Sequence, residues 1–192
     1  MQNLVVLDLE TKKLFHEVKD RRNDLLEVSV LGLYMGKDDS FRAYEEAELG
    51  EVWPILEDAA LIVGYNIKKF DYEVLKPYYK GKLDRLPTLD LLEAIHAELG
   101  FRLRLDDLAQ ATLGIGKTGT GLKAVELYKA GKIDEVKKYC LNDVKITRDI
   151  YYYALKNGHL KYFDIGNQPK EFKVSWLDKL IEKNDLQMTL GV

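Results

Sequence analysis

The stretch that most constrains this chain is Leu4-Val5-Val6-Leu7-Asp8-Leu9-Glu10-Thr11. Four apolar residues run directly into two acids separated by one leucine. A near-continuous apolar run reads as a strand buried on both faces, at the centre of a sheet. Side chains alternate across a strand, so Asp8 and Glu10 project from one face while Leu7 and Leu9 take the other. Two carboxylates side by side at the end of a buried strand repel each other and lose hydration. A divalent cation is the most direct compensation. The plainer reading is a strand that ends where its acids meet water. In a chain with 32 Asp and Glu among 192 residues, that reading is at least as good for this stretch alone. What decides is whether the rest of the chain brings more carboxylates here.

The chain is long enough for one well-packed domain with little left over. We expect residues 1–165 to form it and 166–192 to be a C-terminal extension packed on it. With 29 Lys and Arg the formal charge is −3, so there is no overall basic excess of the kind that marks many duplex-DNA binders. A locally basic groove is still compatible with that balance. A single cysteine, Cys140, excludes an internal disulfide and any Cys-rich zinc site. No apolar run approaches the ~20 residues of a membrane span, and with the sequence opening directly on a strand we expect no signal peptide. The expectation is a cytoplasmic protein without a membrane partner.

Beyond the first strand, Lys12 to Asp24 reads as a polar, basic loop. Leu26 to Met35 and Ser40 to Tyr44 read as strands joined by the turn Gly36-Lys37-Asp38-Asp39. Glu46 to Ala59 is predicted helical, with Pro54 limiting how early it starts. Leu61 to Asn66 is a short buried strand. Phe70 to Tyr79 is an amphipathic helix broken near Pro77. Thr88-Leu89-Asp90 leads into a helix closed by Gly100. Helices are expected from Leu105 to Leu113, Leu122 to Ala130 and Ile133 to Lys156, with a flexible glycine-rich segment from Gly114 to Gly121. His159 to Ile165 reads as an edge strand, and Trp176, Leu177, Leu180 and Ile181 as a docked short helix. Strands first, then helices with one interposed strand, predict an α/β domain. A central mixed β-sheet flanked by α-helices, begun by a meander, resembles the ribonuclease-H-like arrangement.

Two further stretches bear on the first. In Gly64-Tyr65-Asn66-Ile67-Lys68-Lys69-Phe70-Asp71, a strand ends at Asn66 and Asp71 opens the next helix. That puts Asp71 at the carboxyl edge of the sheet, where ligands gather in α/β folds. Taken alone, Asp71 is equally an acid in a helix's first turn. In Tyr139-Cys140-Leu141-Asn142-Asp143, the tyrosine and the aspartate lie four apart on one helical face. The plain alternative is a packing tyrosine beside a solvated acid. The order of all three stretches resembles the DEDD, or DnaQ-like, superfamily of 3′→5′ exonucleases. There Asp-x-Glu lies on the first strand, a second Asp follows an Asn-containing turn, and Tyr-x-x-x-Asp lies on a late helix. The second and third motifs are closest to the proofreading exonuclease domain of family B DNA polymerases. The histidine subclass would place its histidine at position 138, which is Lys138 here, so the tyrosine subclass is the better match.

The resemblance implies a metal-dependent 3′→5′ exonuclease, hydrolysing phosphodiester bonds at single-stranded 3′ ends, with DNA favoured over RNA. It implies Asp8, Glu10, Asp71 and Asp143 as ligands of two Mg²⁺ or Mn²⁺ ions, hard cations that suit oxygen donors. Two ions ~4 Å apart serve the attacking and leaving oxygens. Tyr139, with a reference pKa of ~10, is implied as a neutral phenol that orients the water. Leu9, Thr11, Phe15, Asn66, Lys68 and Phe70 are the candidate substrate contacts, and Phe15 is a candidate wedge. A separate polymerase, or another repair or replication protein, is a candidate partner. The rival reading is a non-catalytic nucleic-acid-binding module of the same fold, which the intact set of acids opposes.

Other features carry less. Ala111 to Thr118 half-resembles a phosphate-binding loop, but it follows a helix and lacks the first glycine. Asp90 suits a helix start better than support of the metal site. His96 and Tyr151-Tyr152-Tyr153 read as packing residues, and Arg21 and Arg22 as phosphate contacts or a solvated turn.

Overall fold

The computed structural model describes residues 3–116 and 121–176. The chain divides into two compact units, Met1–Leu91 with Thr118–Arg148, and Leu92–Lys117 with Asp149–Val192.

The first unit is built on a five-stranded mixed sheet in the order β3-β2-β1-β4-β5. Its strands are β1 Leu4–Thr11, β2 Val28–Met35, β3 Ser40–Glu45, β4 Leu61–Gly64 and β5 Thr88–Asp90. As expected, β1 is central: β2 pairs with it antiparallel and β4 parallel. The alternation also holds. Val5, Leu7 and Leu9 join a core with Val52 and Leu56 of α1 (Val52–Glu57) and Val74 and Leu75 of α2 (Asp71–Leu75). On the opposite face, Val30 meets Ala124 of α5 (Gly121–Lys129) and Val136 and Cys140 of α6 (Ile133–Asn157).

Three expectations for this first unit need correction. Thr88-Leu89-Asp90 is a parallel edge strand against β4, not merely a lead-in to the helix α3 (Leu91–Leu99). Its three residues are too few to show a period. The helix expected over Glu46 to Ala59 begins as a 3₁₀ segment, Glu46–Glu51, and becomes α-helical at Val52, two residues before Pro54. The loop after β1 is wound into three short 3₁₀ turns, Phe15–Glu17, Lys19–Arg21 and Asn23–Leu25.

In the second unit, β6 (His159–Phe163) pairs with β7 (Pro169–Lys173) as a separate two-stranded sheet rather than as an edge of the main one. The turn between them is held by Asp164, whose Oδ1 accepts the Gly166 and Gln168 N–H groups at 2.9 Å each. Helix α4 (Leu105–Leu113) packs on β6. There the Thr112 hydroxyl donates to the Lys161 carbonyl and accepts the Lys161 N–H, both at 3.1 Å. Thr112 is thus a tie to β6, and α4 leads into the phosphate-loop-like segment as a helix. Residues 117–120 of the glycine-rich segment and Leu177, Leu180 and Ile181 lie outside the described residues. Tyr151 is buried and stacks near Trp176, with ring centroids 6.2 Å apart. His96 is exposed rather than packed, because α3 turns Leu91, Leu92 and Ile95 inward and leaves it outside that face. No described helix is long and apolar enough to cross a membrane.

Candidate active site

The site forms where β1 runs past the end of β4. Their ladder stops at Val6 and Val63, and the chain leaves β4 through a turn at Asn66, which adopts φ +66°. Asparagine tolerates this left-handed conformation better than most residues. The Asn66 carbonyl accepts the Lys69 and Phe70 N–H groups, so α2 starts at Asp71. Asp71 is buried, and its Oδ1 accepts the Leu9 N–H at 3.1 Å. The aspartate therefore bonds β1 just beyond the point where the β4 ladder ends.

Asp8 and Glu10 face α6. Asp143 comes down from that helix, and carboxylate oxygens of Asp8, Glu10 and Asp143 lie within 4.8 Å of one another. Burial pushes the Asp8 and Glu10 carboxyls well above the ordinary carboxylate range. The charges of Asp71 and Asp143 push both further, and Glu10 adds to the effect on Asp8. Asp71 rises to about 8, again chiefly through burial, with Asp90 adding to it and the Leu9 N–H opposing it. This convergence of acids is a site short of positive charge.

Asp8, Glu10 and Asp143 border a cavity of about 320 Å³, and Asp71 is not among the residues that line it. Tyr139 lines it with them. Leu9, Thr11, Phe15 and Phe70 line it too, with Phe15 and Phe70 ring centroids 6.0 Å apart. Its walls are the loop after β1 and helix α5, which an ion pair between Glu17 and Lys129 connects. Two of the candidate contacts, Asn66 and Lys68, are not among the residues that line this cavity. Asn66 shapes the turn, and Lys68 is exposed and lines a different cavity with Tyr72 and Thr88. Arg22 is paired with Asp24, as a solvated turn would have it.

The sequence reading missed what holds the turn. Asp90, at the end of β5, is buried, and its two carboxylate oxygens accept the Asn66 N–H at 2.9 Å and the Lys68 N–H at 3.1 Å. Its contribution to the site is thus through the segment that leads to Asp71. Asp90→Asn turns an amide N–H₂ toward one of these donors. The expected cost is about 1–3 kcal/mol, the scale for leaving a buried donor unsatisfied, and any activity that depends on Asp71 should slow as its segment loosens. Urea unfolding midpoints and rates of the two proteins would show it; an unchanged midpoint would mean the turn holds without Asp90.

Comparisons with known proteins agree with this architecture. No curated protein matches the chain. Among solved structures, the chain is similar to the family B DNA polymerase from the hyperthermophilic archaeon Pyrobaculum calidifontis, with a TM-score of 0.62 and 19% sequence identity. The match covers 81% of this chain and 25% of that one, so the chain spans about a quarter of the polymerase's length. At that identity the likeness is one of fold. The family model RNase_H_2, of the RNase_H superfamily, matches residues 5–155, with all five candidate catalytic residues inside the match. By that match over most of its length, together with the β1-centred mixed sheet, the chain belongs to the RNase H superfamily.

Proposed function

We propose that this protein is a metal-dependent 3′→5′ exonuclease of the DEDD tyrosine subclass, acting in the cytoplasm. Its substrate would be the 3′ end of single-stranded nucleic acid, with DNA favoured over RNA. The observation that carries this reading is the convergence of Asp8, Glu10 and Asp143 within 4.8 Å, backed by Asp71 on the Leu9 N–H.

The donor set fits hard divalent cations. Every candidate ligand is a carboxylate, and the raised Asp8 and Glu10 carboxyls mark a charge deficit that Mg²⁺ or Mn²⁺ would relieve. Asp8, Glu10, Asp71 and Asp143 would hold two such ions. When bound, these would supply Lewis-acid activation of the phosphodiester and of the attacking water. The chain's own residues do the rest. Tyr139 lines the cavity with Asp8, Glu10 and Asp143, and in this reading its phenol orients the water by a hydrogen bond. Phe15, Phe70 and Leu9 offer an apolar surface on which a terminal base stacks without being identified. The likeness to a polymerase supports a second, compatible reading, in which a separate polymerase supplies the ends to be trimmed.

The test is a 5′-labelled single strand incubated with Mn²⁺. The expected product is a ladder shortening by single nucleotides from the 3′ end, abolished by excess EDTA. A bulky 3′ block should stop it, and a 5′ block should not. Cleavage of a covalently closed circle would instead identify an endonuclease. The near-balanced charge, with few phosphate contacts expected, also implies a shallow dependence of binding on salt.

A further inference from the structure

Gly32 stands in the middle of β2, directly opposite Asp8 of β1, with Ala43 of β3 on its other side. A glycine inside a buried strand weakens it and marks close approach by another part of the chain. Here its φ is not in the left-handed region, so what the glycine supplies is space. A Cβ at position 32 would lie 2.9 Å from Cys140 Sγ, 2.9 Å from Val144 Cγ2 and 3.3 Å from Leu141 Cδ2. The first two are closer than real Cβ atoms come to their neighbours. All three neighbours belong to α6, and they bracket Asp143, with Tyr139 immediately before Cys140. The Cys140 thiol also donates to the Asp8 main-chain oxygen at 3.4 Å.

We propose that Gly32 is a positioning residue for the metal site: its missing side chain lets α6 seat on β2 opposite Asp8, and so sets how far Asp143 and Tyr139 reach toward Asp8 and Glu10. The inference rests on the metal-site reading above. Asp8, Gly32 and Ala43 form a row across three strands, and Ala43 packs against the cluster that includes Val136 and Cys140 of α6. An added methyl group lifts the helix from the sheet by a few tenths of an ångström or more. Metal sites are sensitive to such displacements, and disturbing the groups that orient ligands typically weakens binding about 10–100-fold.

The experiment is a cycle of variants read by Mn²⁺ binding, by calorimetry or by the loss of the free-ion EPR signal. Gly32→Ala should weaken Mn²⁺ at least about tenfold. In a Cys140→Ala/Val144→Ala background, which removes both clashing atoms, adding Gly32→Ala should cost at most about twofold. A merely structural role would not give this pattern, because truncating two core residues lowers stability while here it restores metal affinity. If Gly32→Ala alone does not fold, the triple variant should still fold and bind Mn²⁺ as its background does. Equal losses in both backgrounds, or no loss in either, overturn the inference while leaving the metal site standing. A wild-type protein that binds no Mn²⁺ overturns the metal-site reading and this inference with it.

Discussion

Asp8→Asn is expected to abolish cleavage and, in the absence of metal, to raise the melting temperature. The two effects have one cause. Asp8 shares its surroundings with Asp71, Asp143 and Glu10, and burial and those three charges all oppose its ionisation. Removing its charge takes away a central ligand of the proposed site, so the rate should fall by more than about a thousandfold, the scale of lost charge stabilisation. The same change relieves the metal-free fold, and about 1 kcal/mol of relief raises the melting temperature by roughly 2–4 °C in a protein of this size. The pH dependence follows from the direction of the shifts. Asp8, Glu10 and Asp71 have folded-state pKa values above their unfolded ones. From about pH 4, the ordinary carboxylate range, upward, the unfolded chain therefore holds fewer protons than the fold. Metal-free stability is then lost as pH rises toward about 8, the value for Asp71. Mn²⁺ should restore most stability at the alkaline end of that window, and Asp8→Asn should flatten the slope. Melting curves at several pH values, with and without Mn²⁺, measure all of this. Full activity in Asp8→Asn, or a metal-free stability that climbs from pH 5 to 8, would remove the carboxylate cluster from the mechanism.

How much of this was legible in the sequence depended on how far each residue's reason lay from it along the chain. The central strand was readable because its pattern is local: apolar residues on both faces, then two acids on one face. Tyr139 and Asp143 were readable as a pair because four residues are one helical turn. Strand β5 was not, because Thr88 to Asp90 is shorter than any period and is a strand only because β4 offers it a ladder. Asp90 reads locally as a helix start, and it does precede α3. Its carboxylate, however, serves N–H groups more than 20 residues away. Gly32 is the extreme case. Every residue of β2 is buried, so no alternation shows which face each one takes. The glycine's reason is a helix that begins about a hundred residues later. Lys68 shows the opposite case: two residues before Phe70 in sequence, it lines a different cavity from the one that Phe70 lines.

Tyr139→Phe separates the proton chemistry from the metal. Tyr139 is half-buried on α6, one turn before Asp143, and its ring packs against the cluster formed by Val30, Ala124, Val136 and Cys140. Phenylalanine keeps that ring and that packing, so thermal stability should change little. What is lost is the hydroxyl of a residue that lines the same cavity as Asp8 and Asp143. If it orients the attacking water, single-turnover rates should fall by roughly tenfold to a thousandfold, or about 1.4–4 kcal/mol in the barrier. Mn²⁺ affinity should stay within about twofold of wild type, since the phenol is not among the proposed carboxylate ligands. The two measurements together discriminate. A fall in both rate and Mn²⁺ affinity would mean that the substitution disturbed the seating of α6, as Gly32→Ala is expected to do. An unchanged rate would make Tyr139 a packing residue, and the tyrosine-subclass assignment would then carry no mechanism. A slower rate at constant metal affinity is the outcome that only a water-positioning hydroxyl produces, because the ring, the helix and the four carboxylates are the same in both proteins.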